Sequence, residues 1–521
     1  MRILEGSVIT CDKDKRVCRY LVEDKGKITY VGDTLPDRLP RAQIVKLGEK
    51  SVLPPFVDNH IHFASYAMFA AGLDTRHARS LEEMQEAIRT FSQHSDAEII
   101  IGFGASSHSV KEKRLPRKEE IDAVCSNRPV FIVKYDGHAC IVNSKLLEIL
   151  PGGIGKMRGY HGASGQMNQE AFFAVTDFVT TRISTLQMVR NMLSGVDRLA
   201  EKGIGLFHTV SGVGFPRDLD VSLECFFGRG QRSAMQVRVF FQTMDIGKVV
   251  KRKLPRIGGC FATALDGCFG SMDAALARPY SNDAENRGVL FYSDACVDQF
   301  VKDANRAGLQ VEMHTVGDAA FAQAVLAIEK ALQDYPRSDH RHTLIHACLP
   351  TEKGLEKCAR LGISIALQPA FLHWELEPLH YLETILGGRA YAISPLRKMA
   401  DMGIKMSGGS DAPCTVPDPI FGIYSACNHY VSEQSLTVQE AIDLFTLNGA
   451  WTTFDENERG SLEEGKIADY IILNKNPLSL DPKNLLELQV EQLYLTGKEY
   501  RKGQHIPSML WKGLVQRGRK V

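Results

Sequence analysis

Short apolar runs alternate with amphipathic stretches through the middle of the chain. The strand candidates, rich in β-branched residues, include RPVFIVKY, MQVRVFFQT, GLQVEMHTV, HTLIHACL, GISIALQP and GIKMSGGSD. Between them lie segments with the apolar spacing of helices, such as AFAQAVLAIEKALQDY and EKGLEKCARLG. Strands that alternate with helices are typical of parallel βα units. Because several strand candidates end in ionisable residues, the pattern predicts a (β/α)8 barrel of the TIM type, with its active site at the C-terminal strand ends.

The two ends of the chain carry a different pattern. Residues 1–53 alternate apolar and polar positions in short runs closed by Gly, Asp or Pro, as strands and hairpins do. A similar pattern returns near the end in GKIADYIILNKNPL and LELQVEQLYLTGKEY. We therefore predict that residues 1–53 and 460–521 form one small discontinuous β-sandwich domain, with the barrel at residues 54–459.

One stretch of the predicted barrel does not fit a simple βα connection. Residues from about 65 to 180 are richer in Gly and polar side chains, and they are too many for one loop. This pattern predicts an insertion after the first barrel strand, placed where it can act as a lid.

Composition and charge narrow the class of protein. The 521 residues suit a large barrel with an appendage, and 44% hydrophobic with 24% charged residues is typical of folded globular chains. Lys+Arg (62) equals Asp+Glu (62), so no net field favours nucleic acid or an anionic membrane. The twelve cysteines form no C-x-x-C pair, which favours reduced thiols.

The location and the partners follow from the same composition. The N-terminus lacks the apolar run of a signal peptide, and no segment approaches the roughly 20 apolar residues of a membrane span. We therefore predict a cytoplasmic protein that acts on a small molecule without a membrane or nucleic-acid partner. The sequence leaves the oligomeric state open, with a homodimer as one option.

The candidate chemistry begins at VLPPFVDNHIHF, where an apolar strand ends in Asp58, His60 and His62. The period of two places both imidazoles on one side of the strand, where they can chelate one divalent metal. A lone H-x-H pair is weak evidence, because histidines satisfied by hydrogen bonds are common. The pair therefore needs further ligands.

Further ligands follow other strand candidates. GLQVEMHTVGD supplies His314, HTLIHACL supplies His346, and GIKMSGGSDAP supplies Asp411. Imidazole nitrogens and a carboxylate oxygen suit zinc and similar ions, and a catalytic site leaves one position open for water. Taken together, these residues predict a divalent metal site, with zinc as the expected ion.

In this order the motifs resemble the amidohydrolase superfamily, in particular the amidohydrolase-3 group of YtcJ-like proteins and N-substituted formamide deformylases. The resemblance covers nearly the whole chain. It is carried by VLPPFVDNHIHF, LPRKEEIDAVCSNRPVFIVKYDGHACIVNSKLL, VEMHTVGDAAF, TLIHACL, KMSGGSDAP and GSLEEGKIADYIIL. It implies that His60, His62 and Asp411 bind a first metal, and that His314 and His346 bind a second metal or face the substrate.

One departure from the family pattern bears on the number of metals. In YtcJ-like proteins a carboxylated lysine bridges two ions, and alignment on Asp266-Gly267 places Ala262 at that position here. Without an anionic bridge two close cations repel, so we expect one metal, or one tight and one weak site. Cys260 lies on the same face of a regular strand and offers a substitute, although an inert buried cysteine is the commoner situation.

Other departures put the exact family chemistry in doubt. Ile345 stands where relatives carry glutamate, Pro55 replaces a glycine, and the family's glutamate maps to either Gln169 or Glu170. Asp318 either orients His314 or caps the next helix.

Three residues are candidate substrate contacts: Asp136, His138 and His208. The first two belong to Asp136-Gly137-His138 in the insertion, which with Asn143-Ser144 matches a family signature over the barrel mouth but also suits a capped turn. His208 ends a strand candidate, and it either lines the pocket or is a core histidine with a hydrogen-bond partner.

The expected activity is hydrolysis of an amide or formamide-like C–N bond by a metal-activated water. Asp411 is expected to shuttle the proton to the leaving nitrogen, while His346 or the metal polarises the oxyanion. The sequence leaves two alternatives open, namely deamination of a heterocyclic or aromatic amine and a catalytically reduced barrel that serves as a binding scaffold.

Overall fold

The computed structural model describes residues 1–36, 42–229 and 235–503. In chain order its strands are β1 Arg2–Ile9, β2 Val17–Asp24, β3 Lys27–Gly32, β4 Gln43–Leu53, β5 Phe56–Ile61, β6 Leu73–Asp74, β7 Ile100–Ala105, β8 Val130–Lys134, β9 Ala139–Val142, β10 Tyr160–His161, β11 Gln166–Asn168, β12 Ile204–Ser211, β13 Gln236–Phe241, β14 Arg256–Ala264, β15 Gln310–Thr315, β16 Thr343–His346, β17 Ser364–Leu367, β18 Met406–Gly408, β19 Tyr470–Leu473, β20 Val490–Leu495 and β21 Lys498–Glu499.

The α-helices lie mainly between the strands of the central region. They are α1 Phe63–Ala70, α2 Leu81–His94, α3 Lys118–Asp122, α4 Ser144–Ile149, α5 Gln169–Thr180, α6 Thr185–Glu201, α7 Leu219–Arg229, α8 Ile246–Lys251, α9 Asp294–Arg306, α10 Asp318–Asp334, α11 Glu352–Leu361, α12 Leu379–Leu386, α13 Leu396–Asp401, α14 Pro419–Cys427, α15 Val438–Leu444 and α16 Leu447–Thr452. Among the residues described, none of these helices is both long enough and apolar enough to cross a membrane.

Eight parallel strands form the barrel, in the order β5, β12, β13, β14, β15, β16, β17, β18. The first and last strands meet at the mouth, where the Asp411 N–H donates to the His60 carbonyl (2.8 Å) and the His62 N–H donates to the Ala412 carbonyl (3.0 Å). Every residue of β5 and of β12 is buried, as expected for strands covered on both faces. The predicted barrel is confirmed.

The terminal segments come together in one seven-stranded sheet, ordered β21, β20, β19, β4, β1, β2, β3. Strand β4 joins the two ends of the chain, because it pairs parallel with β1 and antiparallel with β19. The structure thus confirms a β-unit built from both termini. Residues 504–521 of the predicted segment 460–521 lie outside the described residues.

The insertion after β5 has a sheet of its own. Its six strands are ordered β10, β11, β9, β8, β7, β6, and separate clusters of buried apolar side chains lie against them. The turn after β8 carries residues 135–138 to the C-terminal mouth of the barrel, where His138 and Asp136 line the same cavity as His314 and Asp411.

Candidate metal centre

Four buried side chains converge at the mouth of the barrel: His60, His62, Cys260 and Asp411. One potential ligand atom from each lies within 4.8 Å of all the others. The Asp411 Oδ1 atom is 3.2 Å from His60 Nε2 and 3.3 Å from His62 Nε2, and Cys260 Sγ is 3.1 Å from His60 Nε2. Two nitrogens, one sulfur and one oxygen make up a donor set that suits zinc.

Asp58 connects the strands that carry this cluster. Its carboxylate accepts hydrogen bonds from the Ser410 hydroxyl (2.6 Å), the Ser410 N–H (2.9 Å) and the His60 N–H (3.2 Å). Burial raises the pKa of Asp58 to about 7, against the effect of these hydrogen bonds. Asp58 therefore holds the end of β5 against the loop after β18, and it orients His60 and Asp411 without being one of the four converging ligands.

Cys260 reaches the cluster because β14 is irregular. Gly258 and Gly259 have φ of 111° and 141°, and a Cβ on Gly258 would lie 1.9 Å from the Glu312 carbonyl oxygen. The pairing of β14 with β15 shifts between Gly259 and Ala264, while the Thr263 side chain accepts a hydrogen bond from the Gly259 N–H (2.8 Å).

The position of the Cys260 thiol bears on its two interpretations. Its thiol lies among the candidate ligands, which favours the substitute over the inert core cysteine. Ala262, by contrast, is not part of the cluster, and its carbonyl accepts a hydrogen bond from the Tyr292 hydroxyl (3.0 Å).

His314 and His346 lie beside the four ligands. Their ring centroids are 4.7 Å apart, and the His346 ring is 5.7 Å from that of His60. Gln368 Oε1 lies 2.5 Å from His346 Nδ1, and Asp266 Oδ1 lies 3.5 Å from His314 Nδ1. If Nδ1 of His346 donates to the Gln368 oxygen, Nε2 presents a lone pair towards Cys260 Sγ, 3.8 Å away.

The electrostatics of the cluster fit a cation. Burial lowers the pKa of His314 to about 3 and takes the pKa of His346 well below its usual value, so both imidazoles are neutral and able to bind a metal. Burial opposes ionisation of Asp411, but the close imidazoles of His60 and His62 hold its pKa well below the usual value. Among the described residues, the buried Asp411 Oδ1 has no hydrogen-bond partner of good geometry.

The backbone is strained where two of these residues lie. His346 and Asp411 have φ of 65° and 54°, in the left-handed region that disfavours residues with a Cβ. Such conformations persist where the surrounding structure enforces them, commonly at functional sites.

Two neighbouring lobes, both open to solvent, lie beside the cluster and share part of their lining. The phenylalanine lobe has about 810 Å³ of space free of protein atoms, and the aromatic side chains lining it are Phe69, Phe103, Phe172, Phe173, Phe215 and Phe261. The tryptophan lobe has about 660 Å³, and the apolar side chains that form its wall include Phe371, Leu372, Trp374, Leu382 and Tyr430. Asp136, His138, His314, His346 and Asp411 line both lobes.

The structure separates the roles of Asp136 and His138. The Asp136 carboxylate is buried and accepts from the Lys134 ammonium (2.7 Å), the Ser271 hydroxyl (2.8 Å) and the His138 N–H (3.1 Å). Although burial opposes its ionisation, the Lys134 ammonium holds the pKa of Asp136 below its usual value. Both residues line the two lobes, but the Asp136 carboxylate is engaged by these three donors and positions the loop, which favours His138 as the substrate contact.

The structure does not bring His208 to the cavity. Strand β12 continues to Ser211, so His208 lies below the mouth, where its Nε2 is 3.0 Å from the Thr453 hydroxyl. This position fits the alternative interpretation, in which His208 is a core histidine with a hydrogen-bond partner.

Other candidates from the sequence also lie away from the cluster. Gln169 and Glu170 are both exposed, and Glu170 pairs with Arg158. Asn143 caps α4 through the Leu146 N–H (3.0 Å), and Asp318 is the first residue of α10, where it accepts from the Ala277 N–H (2.8 Å).

Sequence reasoning missed two supporting residues. Gln368 follows the last residue of β17, so its place at a strand end was an available signal. In the sequence, Asp266 was used only to align this chain with the family pattern. Its carboxylate accepts from the N–H groups of Gly317 (2.7 Å), Ala275 (2.9 Å) and Val316 (3.0 Å), which places it next to His314.

Comparison with known proteins agrees with this geometry. A family model described as "Amidohydrolase family" matches residues 43–500. The chain is 24% identical to the N-substituted formamide deformylase of Arthrobacter pascens, with 95% of this chain and 97% of the relative covered. It is 25% identical to YtcJ of Bacillus subtilis (strain 168), with 88% and 90% covered.

The fold also matches solved structures. Uncharacterized metal-dependent hydrolases of Pyrococcus furiosus and Pyrococcus horikoshii superpose with TM-scores of 0.72 and 0.73, at 24% and 23% identity. The match covers 92% of this chain in both cases, and 100% and 99% of those chains.

Proposed function

The chain belongs to the amidohydrolase family, and from this premise we propose that it is a metal-dependent hydrolase that cleaves an amide or formamide-like C–N bond. The observation that carries the proposal is the convergence of His60, His62, Cys260 and Asp411 at the barrel mouth, beside a cavity large enough for a small molecule.

We propose that these four residues hold one divalent ion, with zinc as the best match to their donors. When bound, such an ion supplies Lewis-acid activation of a water molecule. His314 and His346 have neutral imidazoles at the edge of this set, and they complete the site or hold a second, weaker ion.

The remaining chemistry falls to side chains of this chain. Asp411 takes the proton of the attacking water on its carboxylate and passes it to the leaving nitrogen. Asp58 and Ser410 keep that carboxylate in place. Because Gln368 favours the Nδ1–H form of His346, that ring offers a lone pair at Nε2, which suits a ligand better than an oxyanion donor. His138, facing both lobes, is placed to contact the substrate near the scissile bond.

The proposal is tested by reconstituting the protein with zinc and measuring release of amine from N-formyl and N-acyl amides. Asp411→Asn is expected to reduce kcat by at least about 100-fold, since general acid–base catalysis contributes 10² to 10⁴, while zinc remains bound with lower affinity. The matched control is Asp298→Asn, which changes a half-buried carboxylate paired with Lys330 away from the candidate centre. Full activity in Asp411→Asn, or release of ammonia from heterocyclic amines in place of amide cleavage, would refute the proposal.

A further inference from the structure

The two-lobed cavity restricts the substrate more narrowly than the family does. We infer that the substrate is an uncharged amide that carries a sizeable apolar group on both sides of the scissile bond and no carboxylate near it. This inference rests on the proposed hydrolase function and concerns what that site accepts.

The phenylalanine lobe provides the first apolar surface. His62, one of the candidate ligands, lies against Phe261 with ring centroids 5.0 Å apart, and Phe173 is 5.9 Å from the same ring. A substrate group that enters from the metal centre therefore meets aromatic faces at once. Aromatic and aliphatic groups gain from such burial, whereas charged groups lose hydration without compensation.

The tryptophan lobe provides the second apolar surface on another side of the cluster. The His346 ring stacks on Phe371 at 5.7 Å, and Phe371 stacks on Trp374 at 4.9 Å. These stacked rings continue the wall outward from the candidate metal centre. An aromatic or branched aliphatic group fits this wall.

The residues shared by the two lobes indicate how the substrate lies, because Asp411 of the cluster lines both lobes, whereas His62 and Cys260 line the phenylalanine lobe. His314, His346 and Asp411 line both lobes, so a carbonyl placed beside them has one substituent directed into each lobe. A formamide has only hydrogen on the acyl side and would leave one lobe unfilled. A larger acyl group would bury apolar surface in that lobe and bind more tightly.

The charges around the cavity exclude anionic substrates. Among the residues that the structure describes, neither lobe has a lysine or an arginine in its lining, whereas Asp136, Glu377 and Asp411 contribute carboxyl groups. The nearby Lys134 ammonium is held by Asp136 (2.7 Å) and Ser271 (3.1 Å). A substrate carboxylate buried in either lobe away from the proposed ion would be desolvated without a cationic partner.

Three compounds test the inference: N-(2-phenylethyl)phenylacetamide, N-(2-phenylethyl)formamide and N-phenylacetylphenylalanine. The first fills both lobes, the second lacks the acyl group, and the third differs from the first only by a carboxylate. With zinc-loaded protein we expect kcat/KM for the first to exceed both others by at least about 10-fold. Equal or better hydrolysis of the carboxylate or of the formamide would overturn the inference and leave the proposed function intact.

Binding to the metal-free protein, measured by calorimetry, decides the inference even if no amide is cleaved. The same order of affinity is expected, because the lobes exist without the ion. If none of the amides is cleaved but the three compounds bind in the predicted order, only the hydrolase proposal is rejected for these amides. Equal affinity for all three compounds would reject the lobes as the source of specificity.

Variants in each lobe test which side chains produce the substrate preference. Of Phe173→Ala and Trp374→Ala, the one in the lobe that takes the acyl group should reduce the advantage of the diaryl amide over the formamide, the other should lower kcat/KM for both compounds, and the exposed Phe454→Ala, outside both lobes, should change neither. Thr176→Arg adds a cation to the phenylalanine lobe from helix α5, and it should raise the relative kcat/KM for the carboxylate compound by about 10-fold or more. An unchanged preference in Thr176→Arg together with both alanine variants would overturn the inference.

Discussion

Replacement of Cys260 by alanine is the sharpest test of how this barrel binds its metal. The thiol is one of four ligand atoms within 4.8 Å of one another, so the change leaves three donors. Residues that only support a ligand already change metal affinity by 10- to 100-fold. Loss of a direct ligand should therefore raise the zinc dissociation constant by at least about 100-fold, equivalent to about 2.7 kcal/mol.

The same change predicts a difference in stability that thermal unfolding can measure. At a free zinc concentration about 100 times its dissociation constant, the unchanged protein gains about 2.7 kcal/mol from the bound ion. At that concentration Cys260→Ala, with affinity about 100-fold lower, gains only about 0.4 kcal/mol. The zinc-dependent rise in Tm should therefore nearly disappear.

A second buried thiol separates metal binding from packing. Cys358 in α11 is fully buried away from the centre, so Cys358→Ala should show a similar small loss of metal-free stability but the full zinc-dependent rise in Tm. Cobalt(II) gives a further readout, because a thiolate ligand produces a near-ultraviolet charge-transfer band that Cys260→Ala should lack. If Cys260→Ala keeps both the zinc-dependent rise and this band, the thiol is not a ligand and the argument fails.

Three further outcomes follow from the buried charges and from β14. Asp136→Ala leaves the Lys134 ammonium unpaired at a position where both side chains are at most 10% exposed, and should lower the free energy of unfolding by about 3 kcal/mol in urea titrations. Burial raises the pKa of Glu377 from 4.5 to about 7. The contribution of this carboxyl group to the free energy of unfolding is therefore complete below pH about 4.5. Up to about 3 kcal/mol of it is lost as the pH rises towards 7. Glu377→Gln should flatten that part of a stability–pH profile, and an unchanged slope would contradict the assignment. Ala262→Lys should leave the zinc content at its original value by elemental analysis, because Ala262, unlike Cys260, lines neither lobe beside the cluster.

The barrel and most of the candidate centre could be predicted because both depend on regular periodicity. The apolar runs around His314 and His346 have strand length and are followed by helical spacing, so they identified β15 and β16 directly. Parallel strands bring their C-terminal ends to one face, and that rule alone gathers His60, His314 and Asp411. The structure places these residues together at the mouth.

The remaining features depend on contacts that periodicity does not contain. In a regular strand β14 the side chains of Cys260 and Ala262 would lie on the same face. Only the close approach of Gly258 to the Glu312 carbonyl shows why the strand departs from its register. The depth of His208 depends on where β12 ends, and strand ends are the least certain boundaries in a sequence. Asp136 faces a lysine two residues away, which no pattern of apolar positions indicates.

Charge balance explains why one ion suits this centre better than two. Burial raises the pKa of the Cys260 thiol well above its usual value in the metal-free protein, but a bound divalent ion would favour the thiolate, which with the Asp411 carboxylate would supply two negative charges to balance that ion. The neighbouring His314 and His346 are neutral donors, and the carboxyl group of Asp266 is bound by three backbone N–H groups. A second cation beside the first would lack a compensating anion and would be repelled at short range in a buried site. Cys260 on the distorted strand β14, in place of the bridging lysine that the family resemblance implies, thus supports the proposal of one tightly held metal, with His314 and His346 completing the site or holding a second, weaker ion.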